Sequence, residues 1–278
     1  MRTKPGGTRP DSGAAALRAF AVLETVASAE RPVSMTDVVA AVGLPKPTVY
    51  RLLTLLADAM LVLREPSSKR YSIGPRAARF ALDALTNSAT RGARHAILQS
   101  LVDEIGETCN FTILDGAEVV YLDRVETAWP LRMNLQTGSR VPLHCSASGK
   151  LLLAHLPRAA RERLLERLPL ERFTDSTITV RATLERELEG IRAAGRATDN
   201  EEYIAGLVCV AVPVRIARGR VAAAVAVHAP TSRLPLGEAL EHLPDLKRAA
   251  DALSETLMAD AASAAEPVRR RATTRRHS

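Results

Sequence analysis

Residues 13–74 contain the pattern that most constrains the fold: three short runs of helical periodicity, separated by tight turns and followed by a change to period two. The first run extends from Leu17 to Val26. The second begins at Ser34, which has the spacing of a capping box with Asp37. Gly43 has the position of a left-handed residue that ends this second helix.

A third helix and a hairpin complete the pattern. Gly43-Leu44-Pro45 is a tight turn, and a helix is predicted from Lys46, with apolar residues between Val49 and Leu56 facing inward. After Met60 the period changes to two, and the segments on either side of residues 65–70 predict a hairpin. Three helices followed by a hairpin with a basic tip indicate a winged helix-turn-helix.

The third predicted helix has a basic and polar face opposite its apolar stripe. Positive charge on that face suits phosphates, and its hydroxyl and guanidinium groups suit base edges, while the basic hairpin tip suits a backbone or minor-groove contact. The candidate DNA-binding residues are Lys46, Thr48, Tyr50, Arg51, Thr54, Lys69 and Arg70. The alternative is a small helical domain with ordinary exposed polar residues. The joint occurrence of turn, basic face and basic wing favours DNA binding.

Length and charge distribution predict two folded domains with basic ends. The chain has 278 residues and a net charge of +7; residues 1–80 contain 12 Lys and Arg against 6 Asp and Glu, whereas residues 81–264 contain 21 against 24. This asymmetry suggests a polyanionic partner for the N-terminal domain, and a merely solubilising surface is the alternative on charge alone. The predicted organisation is a disordered arm (1–12), the winged helix-turn-helix (13–74), a linker helix (75–92), a second domain (93–264) and a basic disordered tail (265–278).

The cysteines and the apolar segments narrow the class of protein. Cys109, Cys145 and Cys209 are too few for a disulfide framework and lack the spacing of a structural zinc site, so a reducing, cytoplasmic setting is expected. No apolar run reaches the ~18–20 residues of a membrane span. Arg18 and Glu24 interrupt the early apolar segment, which argues against a secretory leader. We expect no cofactor, no metal site and no membrane partner.

The second domain alternates strand and helix patterns, which predict an α+β fold with a largely antiparallel sheet. Asp115-Gly116 marks a hairpin turn, and two later strands are predicted over 208–214 and 221–228. Leu131–Asn134 is a candidate for a further strand, and Asp199–Glu202 is interpreted as an acidic loop.

Ser146-Ala147-Ser148-Gly149 precedes a helix predicted from Gly149 to Leu156. The unpaired N–H groups and the positive dipole end of a helix attract anions, so the Ala147 and Ser148 amides are candidates to bind a ligand carboxylate. The alternative is that Ser148 simply caps the helix, and position alone favours the cap.

Five segments carry the most specific motifs of the chain. They are Leu44–Leu53, Val120–Val125, Pro142–Lys150, Asp199–Tyr203 and Gly206–Val214. In this order they resemble the recognition helix and the effector domain of the IclR family of bacterial transcriptional regulators, over roughly residues 13–262. The resemblance implies a GAF-like effector-binding domain, double-stranded operator DNA as a partner, a homodimer or dimer of dimers, and control of a catabolic operon.

The resemblance also implies an effector pocket, and it favours a ligand over a simple cap at Ser148. The residues at the family's effector-binding positions are Met133, Ala147, Ser148, Asp199, Leu207, Cys209, Ala226 and His228. Some members that sense small oxo-acids have serines where this chain has Ala226 and His228. The effector is therefore expected to be a small organic carboxylate or a somewhat larger aromatic one, with His228 as a hydrogen-bond or ion-pair partner.

Two other classes of function compete with a ligand-responsive transcription factor. An enzyme would use His144-Cys145 or Cys209 as a nucleophilic centre, but adjacent residues of an extended segment point to opposite sides, and the chain has no HExxH or GxSxG motif. A DNA-architectural protein would leave the large second domain without a role. We therefore expect a regulator without catalytic residues. The sign of regulation, and dimer versus tetramer, stay open.

Overall fold

The computed structural model describes residues 12–29, 31–86, 91–129, 135–216 and 219–273, and the chain divides into two units between Leu85 and Thr86. The division falls inside the segment predicted as a linker helix. The first unit combines helices with a two-stranded hairpin, and the second is built on a six-stranded sheet.

The N-terminal elements follow the predicted order. They are α1 (Ser12–Ala27), α2 (Met35–Val42), α3 (Lys46–Asp58), β1 (Val62–Arg64), β2 (Tyr71–Ile73) and α4 (Pro75–Thr86). The capping box of α2 forms as predicted, because the Ser34 hydroxyl accepts from the Asp37 N–H and the Asp37 carboxylate accepts from the Ser34 N–H. Gly43 ends α2 with a left-handed φ of 66°. These two signals fix the turn that separates α2 from α3.

The core of the first unit lies between α1, α2, α3 and the hairpin. Its fully buried residues include Val22, Val38, Val49, Leu53 and Val62. The inner face of α3 is as predicted. The stripe of α1 is only partly so, since Leu17 and Phe20 are 62% and 53% exposed. Apolar spacing identifies a helix but does not decide which of two adjoining apolar stripes faces the core.

The second unit carries the remaining elements. They are α5 (Arg91–Ile105), β3 (Thr108–Asp115), β4 (Glu118–Val125), β5 (Arg140–Pro142), α6 (Ala147–His155), α7 (Arg158–Leu165), α8 (Arg181–Ala194), β6 (Ala197–Asn200), β7 (Leu207–Arg215), β8 (Val221–Pro230), α9 (Leu236–Glu241) and α10 (Leu243–Thr273). The sheet has the order β5-β4-β3-β8-β7-β6 with antiparallel neighbours, which confirms the α+β fold. Helix α10 extends into the segment predicted as a disordered tail, where alanine and arginine both favour helix.

The side chains of the sheet alternate between two covered faces. On one face, Cys209, Ala211, Ala224 and Ala226 pack in the cluster that contains α6 and α8. Small side chains on this face let α6 approach the sheet closely. Gly149 allows a different close approach, between the first turn of α6 and the segment that precedes it, because a Cβ there would lie 2.4 Å from the Leu143 carbonyl oxygen. Helices α5 and α10 cover the opposite face.

Candidate functional site

The outward face of α3 presents most of the predicted DNA-binding residues to solvent. Lys46, Tyr50, Arg51 and Thr54 are exposed, and Thr48 is half-buried in the first turns of the helix. The opposite side is the buried stripe described above, so α3 has the amphipathic arrangement that a recognition helix needs. Lys69 lies at the exposed tip of the hairpin, in a left-handed conformation with φ 56°.

Two of these residues make internal bonds that the sequence did not reveal. The Thr54 hydroxyl donates to the carbonyl of Tyr50, one turn earlier, so its proton is used within the helix. The Arg70 guanidinium donates to the Pro32 carbonyl at 3.0 Å and lies 3.9 Å from the Asp37 carboxylate. Arg70 therefore ties the wing to the start of α2, a role beyond the predicted DNA contact.

In the second unit, a cavity of about 20 Å³ lies between the start of α6 and the sheet, enough for about one water molecule. Its walls are formed by α6, by strands β4 to β8 and by the turn after β6. The lining residues are Tyr121, Val141, Ser146, Ala147, Ser148, Asp199, Tyr203, Leu207, Cys209 and His228. None of these lining residues is lysine or arginine.

The start of α6 supplies backbone donors to this cavity. Helix α6 begins at Ala147, two residues before its predicted start, and its cap is Ser146 rather than Ser148. The Ser146 hydroxyl accepts from the Gly149 N–H at 3.2 Å and donates to the Pro142 carbonyl at 2.6 Å. The Ala147 and Ser148 N–H groups thus occupy the first turn beside the cavity, and the Ser148 hydroxyl is not needed for capping.

Asp199 is not in a solvated loop, as its acidic neighbours suggested, but on edge strand β6, and it is only 3% exposed. One of its carboxylate oxygens accepts from the Glu202 N–H at 2.7 Å and from the Tyr203 N–H at 3.4 Å. Burial raises the pKa of Asp199 to about 7, against the lowering effect of the bond from the Glu202 N–H. Asp199 therefore organises the turn after β6, and its raised pKa places the titration of its carboxyl group near neutral pH.

His228 lies on β8 opposite Cys209 of β7 and Thr108 of β3. Its Nδ1 is 3.0 Å from the amide nitrogen of Asn110, and its Nε2 has no hydrogen-bond partner among the described residues. Burial, assisted by the charge of Arg124, lowers the pKa of His228 to about 3. The lowered pKa favours a neutral imidazole at physiological pH, and therefore the hydrogen-bond role expected for His228 over the ion-pair role.

A buried lysine anchors the turn beside the cavity. Lys150 of α6 is fully buried, and its ammonium lies 2.5 Å from a Glu202 carboxylate oxygen and 3.1 Å from one of Glu187 on α8. Its charge is thus matched inside the protein and is not directed at the cavity. The Lys150–Glu202 ion pair links α6 to the turn after β6, the same turn whose backbone N–H groups donate to the Asp199 carboxylate.

The structure brings together most of the predicted pocket. Ala147, Ser148, Asp199, Leu207, Cys209 and His228 line one cavity. Ala226 is buried on the same sheet face but is not among the residues at the cavity wall, and Met133 falls outside the described residues. Sequence reasoning missed Tyr121, Val141, Ser146 and Tyr203. Tyr121, Ser146 and Tyr203 lie within motifs noticed in the sequence, and the spacing of Ser146 to Gly149 is that of a cap.

The residues of the alternative enzymatic centre do not form a nucleophilic pair. His144 Nε2 is 2.9 Å from the carbonyl oxygen of Glu171, and burial lowers the pKa of this ring. Burial also raises the pKa of Cys145 to about 12 and holds that of Cys209 well above its usual value. Neither thiol forms the thiolate that nucleophilic chemistry requires.

Both parts of the chain match known protein families. Residues 15–66 match the IclR helix-turn-helix domain, and residues 82–255 match the C-terminal domain of bacterial IclR transcriptional regulators. The chain is 49% identical to the probable transcriptional regulator SauR of Cupriavidus necator, over 88% of this chain and 97% of that protein. It is 30% identical to the Thermotoga maritima IclR structure, with a TM-score of 0.59 over 88% of this chain and 99% of that one.

A further solved structure shows a ligand in a similar protein. An IclR homologue from Microbacterium hydrocarbonoxydans, complexed with 4-hydroxybenzoate, is 25% identical to this chain, with a TM-score of 0.55 over 88% of this chain and 99% of that one. The chain belongs to the IclR family of bacterial transcriptional regulators. The matching families and relatives are DNA-binding regulators rather than enzymes. Of the helices that the structure describes, none has the length and apolar character needed to cross a bilayer.

Proposed function

We propose that this regulator senses a small organic carboxylate in the α6 cavity and, in response, changes its binding to the operator of a catabolic operon. The observation that carries the proposal is the convergence on one cavity of two first-turn amides of α6, the Ser148 hydroxyl, Asp199 and His228. A helix N-terminus with unpaired N–H groups favours a negative group. The remaining polar groups of the cavity would contact the rest of the effector molecule and so discriminate between different acids.

The size of the cavity favours a compact acid. A volume of about 20 Å³ accommodates about one water, so even a small acid requires the walls to move. The turn that carries Tyr203 is the wall best placed to do so, because Tyr203 is half-buried, while the α6 side is fully buried. An aromatic acid needs a larger opening; the complex of the M. hydrocarbonoxydans homologue with 4-hydroxybenzoate keeps it as the second candidate.

For the DNA side, we propose that Lys46, Thr48, Tyr50, Arg51 and Thr54 face the major groove and that Lys69 and Arg70 approach the backbone. Lys46 and Lys69 would supply affinity through phosphates, and Arg51 and Thr48 would contribute to base readout. Coupling between the two sites would have the usual size of about 1–3 kcal/mol.

We also propose that the protein is a homodimer or a dimer of dimers, through the first unit. Leu17 and Phe20 of α1 and Phe80 of α4 are 62%, 53% and 70% exposed, which is costly for large apolar side chains in an isolated domain. A second copy of the same surface would cover them. Sedimentation of the wild type and of Phe80→Glu tests this: the variant is expected to dissociate, and an unchanged mass would contradict the proposal.

Thermal-shift titration of the full chain with glyoxylate, pyruvate and a set of benzoates tests the sensing function. A ligand at one hundred times its Kd stabilises the folded state by about 2.7 kcal/mol. At least one of these acids is expected to raise the Tm of the wild type, and Ser148→Leu is expected to abolish the shift. Ser100→Leu, at an exposed position of α5, is the control and is expected to retain it. No shift with any acid, or an equal shift in Ser148→Leu, would contradict the proposal.

A further inference from the structure

Two buried polar side chains beneath α6, His228 and Asn110, are arranged so that they determine which hydrogen-bond donor the cavity presents. His228 is 4% exposed and Asn110 is 1% exposed, on adjacent strands β8 and β3. Asn110 is paired with Ala226 and His228 with Thr108 in the strand register, so both side chains lie on the α6 face of the sheet. Of the two, only His228 is at the cavity wall.

Asn110 determines which ring nitrogen of His228 carries the proton. The amide nitrogen of Asn110 lies 3.0 Å from His228 Nδ1. With the Asn110 amide nitrogen facing the ring, Nδ1 accepts and a neutral imidazole carries its proton on Nε2, while Asn110 Oδ1 has no partner among the described residues. Nε2 has no hydrogen-bond partner among the described residues, although the ring is almost completely buried. A buried N–H without an acceptor is uncommon in folded proteins and requires an explanation.

Resting on the proposed sensing function, we infer that His228 is a specificity-determining residue whose Nε2–H donates to a second oxygen acceptor of the effector, and that Asn110 is the positioning residue that holds this tautomer. The first turn of α6 takes the carboxylate, and His228 reads the group next to it. The effector class is then a compact acid with an additional acceptor, such as a carbonyl or a second acid group, rather than a simple alkanoate.

Tyr121 and Tyr203 also line the cavity and carry hydroxyl donors, but of the lining side chains only His228 has a buried nitrogen or oxygen without a hydrogen-bond partner among the described residues. Cys209 is paired with His228 in the strand register, but burial keeps it a thiol, which is a weak donor. Ser148 and the α6 amides belong to the carboxylate end of the cavity. His228 is therefore the neutral ring that distinguishes an acceptor from a methyl group of the same size.

Calorimetric titration of the full chain with two nearly isosteric pairs tests the inference: pyruvate against isobutyrate, and malonate against isovalerate. In each pair a methyl-bearing group replaces the oxygen acceptor. The wild type is expected to bind the acceptor-bearing acid of at least one pair about tenfold more tightly than its partner, as for loss of one hydrogen bond from a buried donor. His228→Leu is expected to abolish the difference, and His228→Gln, which keeps an N–H donor, to restore part of it.

Cys109→Ala is the matched control, because Cys109 is buried on the opposite face of the same sheet. It is expected to retain the wild-type ratio. Equal affinities within both pairs in the wild type, or an unchanged ratio in His228→Leu, would overturn the inference while leaving the proposed sensing function intact. If none of the four acids binds and none of the benzoates does, the sensing function itself fails.

The tautomer is measured independently of any ligand. Nitrogen-15 NMR of the histidine-labelled full chain is expected to show Nε2 of His228 protonated and Nδ1 unprotonated at neutral pH. In Asn110→Ala, both tautomers are expected and the ratio within each acid pair is expected to fall, with binding itself retained. A proton on Nδ1 in the wild type would overturn the assignment.

Discussion

Replacing the buried lysine of α6 is expected to destabilise the second unit strongly. Lys150 is fully buried, Glu202 is 7% exposed, and their charged atoms are 2.5 Å apart. Lys150→Met leaves the Glu202 carboxylate buried without its main counter-charge, and breaking a buried pair costs about 3–5 kcal/mol. Because 1 kcal/mol shifts the Tm of a unit of this size by about 2–4 °C, the expected decrease is about 6–20 °C.

Differential scanning calorimetry of the full chain measures this decrease in the transition of the second unit. The double variant Lys150→Met/Glu202→Met is expected to recover most of the loss, since neither charge is then buried alone. Lys247→Met, at an exposed position of α10, is the control and is expected to change stability by less than about 0.5 kcal/mol. A Lys150→Met variant as stable as this control, or a double variant no more stable than Lys150→Met, would refute the reasoning.

Other residues give predictions of different kinds. Arg51→Ala is expected to reduce the free energy of operator binding by about 1–3 kcal/mol and to relax specificity at one base position, as measured by anisotropy titration. Lys46→Ala is expected to weaken binding to all DNA sequences alike and to reduce the slope of log K against log salt concentration by about 1. The same profile for both variants would contradict their assignment. The pKa of Asp199 in the folded protein, about 7, lies above its ordinary value of 3.8, so its contribution to stability is fully present below pH 4 and is lost as pH rises through 7. Asp199→Asn is expected to remove this decrease of the unfolding free energy with pH, as measured by denaturation curves at several pH values. An unchanged pH dependence in the variant would contradict the raised pKa. Gly149→Ala is expected to lower the melting temperature of the second unit, because the new Cβ would lie 2.4 Å from the Leu143 carbonyl oxygen. The control Gly190→Ala, in open space on α8, is expected to stabilise the unit by about 0.5–1 kcal/mol. Equal melting temperatures for the two variants would contradict this expectation.

Local signals carried most of the N-terminal prediction. The capping box at Ser34, the left-handed Gly43 and the apolar stripe from Val49 to Leu56 are short-range features, and each leaves a recognisable spacing. The exposure of Leu17 depends on tertiary packing, so its periodicity could not reveal it.

The pocket was predictable in membership but not in chemistry. The family resemblance placed Ala147, Asp199 and His228 together, but hydropathy presented Asp199 as part of a loop, because an acidic residue on a buried edge strand has no signature in one sequence. The neutrality of His228 depends on its burial and on the Asn110 amide, 118 positions away in the chain. Such contacts across strands follow from sheet order, which one sequence does not encode locally.

Coupling between the α6 cavity and DNA binding is tested by the Kd of the full chain for its own upstream DNA, measured at one fixed salt concentration with and without each acid that raises its Tm. At least one such acid is expected to change this Kd by about 5–150-fold, and Arg51→Ala is expected to weaken DNA binding without altering the Tm shift. An operator affinity unchanged by every stabilising acid, or no binding to upstream DNA at low salt, would contradict this coupling.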